Sequence, residues 1–215
     1  MRRQLNRKEV QEVLDVLEAT YPDAQAELDH RNPFEMLIAT ILSAQCTDVR
    51  VNMVTKDLFP AYPTPEAMGS LTQEELEAWI KPCGFFHTKA KNILATCHIL
   101  TEDYGGKVPE TIEELVKLPG VGKKTANVVA SNCFDVDAIA VDTHVFRVSN
   151  RIGLAKGKTV EVVEEELMKR VPKDRWSHAH HVLIFHGRRT CASRKPHCER
   201  CTVTDWCLDY QRRTK

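Results

Sequence analysis

Leu118-Pro119-Gly120-Val121-Gly122-Lys123-Lys124-Thr125-Ala126 lies between two stretches of helical periodicity. Pro119 is expected to end the first helix, and Gly120 and Gly122 to admit a turn too tight for bulkier residues. The helix that follows opens with backbone N–H groups that have no partner inside it and with the positive end of its dipole. Glycines without side chains let an anion come close to those donors. Such a joint is either an ordinary helix corner or a hairpin that holds a phosphodiester backbone without reading bases. The Leu-Pro before it and the Lys-Lys after it favour the hairpin. Lys123 and Lys124 can each touch phosphate, yet successive helical residues point about 100° apart, so they do not serve one ligand equally. One of them is a candidate for chemistry. An ammonium beside another, at a helix N-terminus, has its charged form disfavoured twice, and an amine nucleophile must be uncharged.

Outward from this turn the dominant period is helical. Phe34, Leu37, Ile38, Ile41 and Leu42 trace an apolar stripe, as do Val10, Val13, Leu14 and Leu17, and again Val160, Val163, Leu167, Met168 and Val171. Their i, i+3, i+4, i+7 spacing is that of one helix face. Thr72-x-x-Glu75 and Thr111-x-x-Glu114 have the form of capping boxes, and Asn32 before Pro33 predicts an N-cap with a first-turn proline. Ile139-Ala140-Val141 is too short to count as a strand. The pattern predicts an all-α protein of about ten helices in two lobes that share an interface.

A second segment bears chemistry. Ala140-Val141-Asp142-Thr143-His144-Val145-Phe146-Arg147 sets an aspartate between a short apolar run and a helix with Val145, Val148 and Ile152 on one face. Asp142 suits an N-cap. A carboxylate held by helix N–H groups can also stabilise developing positive charge, and the two roles coexist.

The eight cysteines form two sets. Cys46, Cys83, Cys97 and Cys133 stand among apolar residues and read as small core hydrophobes. Cys191-x6-Cys198-x2-Cys201-x5-Cys207 falls within 17 residues, so four thiolates can surround one centre. In a reducing compartment that cluster reads as a metal site, and its spacing suits zinc or iron–sulfur equally. His178, His180, His181 and His186 are expected to pack or hydrogen-bond within a helix.

Hydrophobic residues at 42% and charged residues at 28% are the balance of a soluble globular chain, with no run of ~18 apolar residues for a membrane span. The start, Met1-Arg2-Arg3-Gln4-Leu5-Asn6-Arg7-Lys8, leads into no apolar h-region, so no secretory signal is expected. Thirty Lys and Arg balance thirty Asp and Glu, which argues against a protein that coats nucleic acid indiscriminately. The charges are segregated, however. Arg188, Arg189, Arg194, Lys195, Arg200, Arg212, Arg213 and Lys215 oppose only Glu199, Asp205 and Asp209 in the tail, compatible with a basic face for a polyanion.

In this order, 118–124, Val141-Asp142-Thr143-His144 and the 6-2-5 cysteine spacing resemble endonuclease III, a family of bifunctional DNA glycosylases and abasic-site lyases. The resemblance extends from Asn32-Pro33-Phe34 to Cys207. It implies a two-lobed helix-hairpin-helix DNA glycosylase fold: a six-helix domain over 25–135, and a second lobe from 1–24 and 136–215 holding a [4Fe–4S] cluster on Cys191, Cys198, Cys201 and Cys207. Double-stranded DNA containing damaged bases or abasic sites would lie in the cleft between them. Lys124 matches the nucleophile and Asp142 the catalytic aspartate. Gln45, in Leu42-Ser43-Ala44-Gln45, matches the residue that fills the gap left by an extruded nucleotide. Phe85, after Gly84, stands at a wedge position where the family commonly has leucine, and an aromatic can also enter a base stack. His144 matches a residue near the lesion, while Gly120, Gly122 and Lys123 belong to the hairpin on the backbone.

The implied reaction is removal of oxidised or ring-damaged pyrimidines through a lysine Schiff base, then β-elimination 3′ to the abasic site. The expected setting is cytoplasmic, on nucleoid DNA, as a monomer and without a membrane partner. One alternative is the monofunctional adenine glycosylase, which lacks the lysine and has an acid in an early helix; Met36 to Ser43 contains none here. The other is a non-catalytic helix-hairpin-helix DNA-binding protein, its Lys124 merely touching phosphate.

Overall fold

The computed structural model describes residues 4–214; the charged start at 1–3 and Lys215 of the basic tail lie outside the described residues. All regular structure among the described residues is helical. In chain order the α-helices are α1 (Arg7–Thr20), α2 (Pro33–Leu42), α3 (Asp48–Ala61), α4 (Pro65–Gly69), α5 (Gln73–Ile80), α6 (Phe86–Asp103), α7 (Ile112–Leu115), α8 (Lys123–Cys133), α9 (Thr143–Ile152), α10 (Val160–Arg170), α11 (Trp176–Arg189) and α12 (Leu208–Arg213). They form two compact units, Ala26–Val136 and the combination of Met1–Gln25 with Asp137–Lys215.

In Ala26–Val136 the central element is α2. Its periodicity marks one apolar stripe, yet every residue from Phe34 to Leu42 is buried, with α3, α6 and α8 packed around it. A helix enclosed on all sides must be apolar on all sides. Glu35 is carried inside at 1% exposure and pairs with Arg31, whose Nη2 and Nε donate to Oε1 at 2.6 and 2.9 Å and whose backbone N–H donates to Oε2 at 2.7 Å. Without such partners a buried carboxylate is strongly destabilising.

Local caps set the helix starts. The Asn32 side chain accepts from the Glu35 N–H at 2.9 Å with Pro33 in the first turn, and Thr72 and Glu75 close a full capping box. At Thr111 only half of the expected box forms. Its hydroxyl accepts from the Glu114 N–H, but the Glu114 carboxylate turns to the Tyr104 hydroxyl at 2.6 Å and to Lys117. Those partners lie outside the sequence window that defines the motif. Nor does Pro119 end a helix: α7 stops at Leu115, and bonds from Lys117 N to Glu114 O and from Leu118 N to Leu115 O have already tightened the chain.

In the other unit α11 is the spine, packed by α1 and α9. Val10, Val13, Leu14 and Leu17 are fully buried, as their spacing predicts. Along α10, Val163, Leu167 and the capping Val171 go inside, whereas Val160 and Met168 stay 41% and 39% exposed. That helix has only one packed side, narrower than its set of apolar residues. Long-range polar bonds join the early and late parts of the chain: Arg170 Nη1 donates to Leu5 O at 2.7 Å, and Arg175 Nη2 pairs with Asp15 and Glu18 at 2.8 and 2.7 Å. Among the described residues no helix is long and apolar enough to cross a membrane.

Candidate functional site

The hairpin of residues 118–126 is anchored from below. Leu118 and Val121 are buried, and the Thr96 hydroxyl on α6 donates to Pro119 O at 3.0 Å. Gly120 has φ +78°, a backbone conformation that strains any side chain, and a Cβ there would also crowd Asn92 Cβ and Nδ2 at 3.0 Å. Gly122 is different. Its φ is −86°, ordinary for any residue, and as the N-cap of α8 it supplies no side-chain cap. A Cβ at Gly122 would meet nothing within 4 Å, so the space beside the start of α8 is open. Lys123 and Lys124 occupy the exposed first turn of α8, with Ala126 and Asn127 buried behind them.

In the same unit Gln45 follows α2 and Phe85 immediately precedes α6. Both are exposed non-glycine residues in left-handed backbone, at φ +53° and +47°. Each such residue stores about 1–3 kcal/mol of strain. Lys89, on α6 and 5% exposed, donates to Leu42 O at 2.8 Å and to Cys83 O at 2.9 Å. Burial pushes its amine below the ordinary lysine range, opposed by Cys46 and Cys83. The scattered cysteines are packed thiols: burial, then the neighbouring Cys46, pushes Cys83 up to about 11, while burial raises Cys97 to about 12 and Cys133 to about 11.

Asp142 caps α9. Its Oδ1 accepts from the N–H groups of His144 and Val145, both at 2.8 Å. His180 Nδ1, 2.7 Å from Ala140 O, fixes the extended segment that leads into the cap. His144 Nδ1 lies 3.1 Å from Arg147 Nη2, and Arg147 donates onward to Gly187 O at 2.9 Å and Cys191 O at 3.2 Å. The two helices approach so closely that a Cβ on Gly187 would lie 2.9 Å from His144 Cβ.

Cys191, Cys198, Cys201 and Cys207 all line one small pocket of about 20 Å³, with Arg151 and His186 in the wall. All four are free thiols. Burial pushes Cys201 up and Cys207 up to about 11, and the neighbouring cysteines add to both. Thiolates here therefore need a cationic partner. Polar groups already face the sulfurs: Arg151 Nη1 donates to Cys191 Sγ at 3.5 Å, the Tyr210 N–H donates to Cys207 Sγ at 3.5 Å, and His186 Nε2 lies 3.8 Å from Cys201 Sγ. Among the described residues no three His, Cys, Asp or Glu side chains converge as ligands of one ion. The cysteines surround a hollow rather than meet at a point.

Within each unit, then, the structure groups Lys123 and Lys124 on one turn, the chain segments that lead to Gln45 and Phe85 on Lys89, Asp142 with His144, and the four clustered cysteines around one pocket. Lys124 and Asp142 fall in different units. The basic tail is partly consumed internally: Arg189 pairs with Asp23 at 2.8 Å and Arg213 with Asp209 at 2.7 Å, while Arg194 and Lys195 stay exposed. Sequence reasoning passed over Arg147, Gly187 and Lys89. Only Lys89 left a trace, as a charge on the face that Ala90, Ile93, Cys97 and Leu100 bury.

Comparison with known proteins adds three likenesses to one family match. The description "HhH-GPD superfamily base excision DNA repair protein" fits residues 38–173. Endonuclease III of Bacillus subtilis is 50% identical over 212 residues, covering 98% of this chain and 97% of the relative. Endonuclease III of Escherichia coli is 49% identical over 203 residues, covering 94% and 96%. Among solved structures, a trapped endonuclease III–DNA covalent intermediate, an estranged-adenine complex, superposes with TM-score 0.93 at 48% identity, over 98% of this chain and 100% of that one.

Proposed function

Because the chain belongs to the endonuclease III family of the HhH-GPD superfamily, we propose that it is a base-excision repair enzyme, a DNA glycosylase and abasic-site lyase acting on double-stranded DNA. The observation that carries this reading is its likeness, over nearly the whole of both chains, to an endonuclease III trapped covalently on DNA. The substrates are oxidised or ring-damaged pyrimidines, whose weak pairing and stacking make extrusion less costly.

Lys124, as free amine, attacks C1′ of the extruded nucleotide; the N-glycosidic bond breaks, and the base departs with its electron pair and takes up a proton. The Asp142 carboxylate stabilises the positive charge that develops at the sugar. The C1′–nitrogen bond becomes an imine as the ring opens, a proton leaves C2′, and the 3′ phosphate is expelled. The exposed first turn of α8, with its open approach at Gly122, supports the assignment of Gly120, Gly122 and Lys123 to the DNA backbone. The exposed turns at Gln45 and Phe85 support their entry into the duplex, and the closeness of His144 to the Asp142 cap supports a place near the lesion. The adenine-type alternative lacks its acid: the nearest one in α2, Glu35, is buried against Arg31.

Cys191, Cys198, Cys201 and Cys207 would hold a [4Fe–4S] cluster; all four line one pocket, and among the described residues no three side chains converge on a single ion, which supports a group that takes four separated thiolates. When bound, the cluster supplies iron–thiolate bonds that close 191–207 on itself. In this reading residues 25–135 are the six-helix domain and 1–24 with 136–215 the cluster lobe, which the division into two compact units supports. The enzyme works in the cytoplasm, on nucleoid DNA.

Borohydride reduction during incubation with abasic-site duplex tests the assignment. Wild type gives a covalent adduct, and Lys124→Ala gives none while still binding DNA. A wild-type protein that binds but cannot be trapped would leave only the DNA-binding alternative.

A further inference from the structure

We propose that Lys89 is a positioning residue for nucleotide extrusion: its buried ammonium holds together the two turns that carry Gln45 and Phe85, so that both side chains enter the duplex from one rigid frame. The proposal rests on the reading that those two residues insert into DNA. Leu42 is the last residue of α2 and Cys83 the last of the 3₁₀ turn Lys81–Cys83. Carbonyls at such ends have no partner inside their own helix. One Nζ satisfies both, at 2.8 and 2.9 Å, and the Lys89 backbone N–H donates to Phe85 O at 3.0 Å. Gln45 follows the first clamped carbonyl by three residues, and Phe85 follows the second by two.

The strain lies in the same place. Among the described residues the only non-glycine positions with positive φ are Gln45, Phe85 and Asp135. Two of those three adjoin the carbonyls that Lys89 holds. Unfavourable backbone persists only where its surroundings fix it, and this clamp is a charge-assisted link between both turns, beside the Cys46–Cys83 side-chain contact. Filling space alone would be served as well by an apolar side chain on this face. An ammonium adds charge-assisted bonds to two separate elements at once.

The test compares Lys89→Met, which keeps length and volume but cannot donate, with Lys89→Arg, which can. Each variant is followed under single-turnover conditions on a duplex with 2-aminopurine beside a paired damaged pyrimidine, and on the same lesion unpaired in a bulge. Lys89→Met is expected to slow extrusion and base release on the paired lesion by about 10- to 100-fold. On the bulge it stays within about threefold, because little extrusion remains to be done. Lys89→Arg recovers most of the loss. Leu100→Ala, a core change in the same unit, controls for lowered stability and should slow both substrates alike.

Equal slowing on both substrates by Lys89→Met, or no slowing on either, would overturn the positioning role. So would a failure of Lys89→Arg to rescue. Gln45→Ala and Phe85→Ala separate the two layers of the argument. If neither slows extrusion, the insertion reading is wrong; if both do and Lys89→Met does not, only the role of Lys89 fails.

Discussion

The Tyr21 hydroxyl lies 3.0 Å from His186 Nδ1, across 165 residues of sequence, and 2.8 Å from Thr190 Oγ1. The same imidazole sets Nε2 3.8 Å from Cys201 Sγ. A hydroxyl that donates to Nδ1 leaves the proton on Nε2, the tautomer that can donate to a thiolate. The early part of the chain thus orients a ring that faces a candidate cluster ligand, as outer partners do in metal sites. Tyr21→Phe leaves two buried polar groups short of a partner and should lower stability by about 1–2 kcal/mol. Urea denaturation of the protein as purified measures it; an unchanged midpoint would mean the hydroxyl holds nothing.

Asp142 combines a cap and a charge, and two substitutions separate them. Asp142→Asn keeps an oxygen for the His144 and Val145 N–H groups, so its melting temperature should stay near wild type. Turnover should fall by about 10²–10³, the usual loss when a group that stabilises the transition state is removed. Asp142→Ala loses the cap as well and about 1 kcal/mol of stability. Equal turnover for wild type and Asp142→Asn would reduce the residue to a helix cap.

Phe85 is 66% exposed at φ +47°, so Phe85→Gly relieves strain while giving up little buried surface. The variant should be more stable by about 1 kcal/mol and slower at extruding a paired lesion. Chemical denaturation and single-turnover kinetics read the two effects separately. A variant that is both less stable and equally fast contradicts the idea of strain kept for function.

Acid should weaken the unit that contains α11. His181 is held at about 3, first by burial and then by His180 and His178. In the unfolded chain the same ring titrates near 6.5. The unfolded state therefore binds a proton that the native state refuses. The resulting stability is complete above about pH 6.5 and is lost as the pH falls toward 3. By pH 5 the loss is at most about 2 kcal/mol. Melting curves from pH 7 to 4.5 should be shallower for His181→Gln than for wild type; parallel curves would remove His181 as the cause.

What could be foreseen follows from the range of the interactions. Helical class, the caps at Asn32 and Thr72 and the turn at Gly120 depend on neighbours within about four residues, so the sequence displays them directly. The cysteine spacing is equally visible, although not the hollow around which those thiols stand. Glu114 illustrates the limit: its local motif is genuine, but Tyr104 and Lys117 compete for the same carboxylate. From its sequence Gly122 looks like a turn glycine, whereas its backbone is that of an ordinary N-cap with open space beside it.

By itself, then, the amino-acid order determined a helical chain with a glycine hairpin, a capped aspartate and four clustered thiols, because each is written in short-range pattern. Tertiary structure alone decided that α2 is enclosed on every side, that Gly187 gives His144 its room, and that one lysine braces two strained turns. Those outcomes depend on which surfaces meet, and burial turns distant groups into obligatory hydrogen-bond partners.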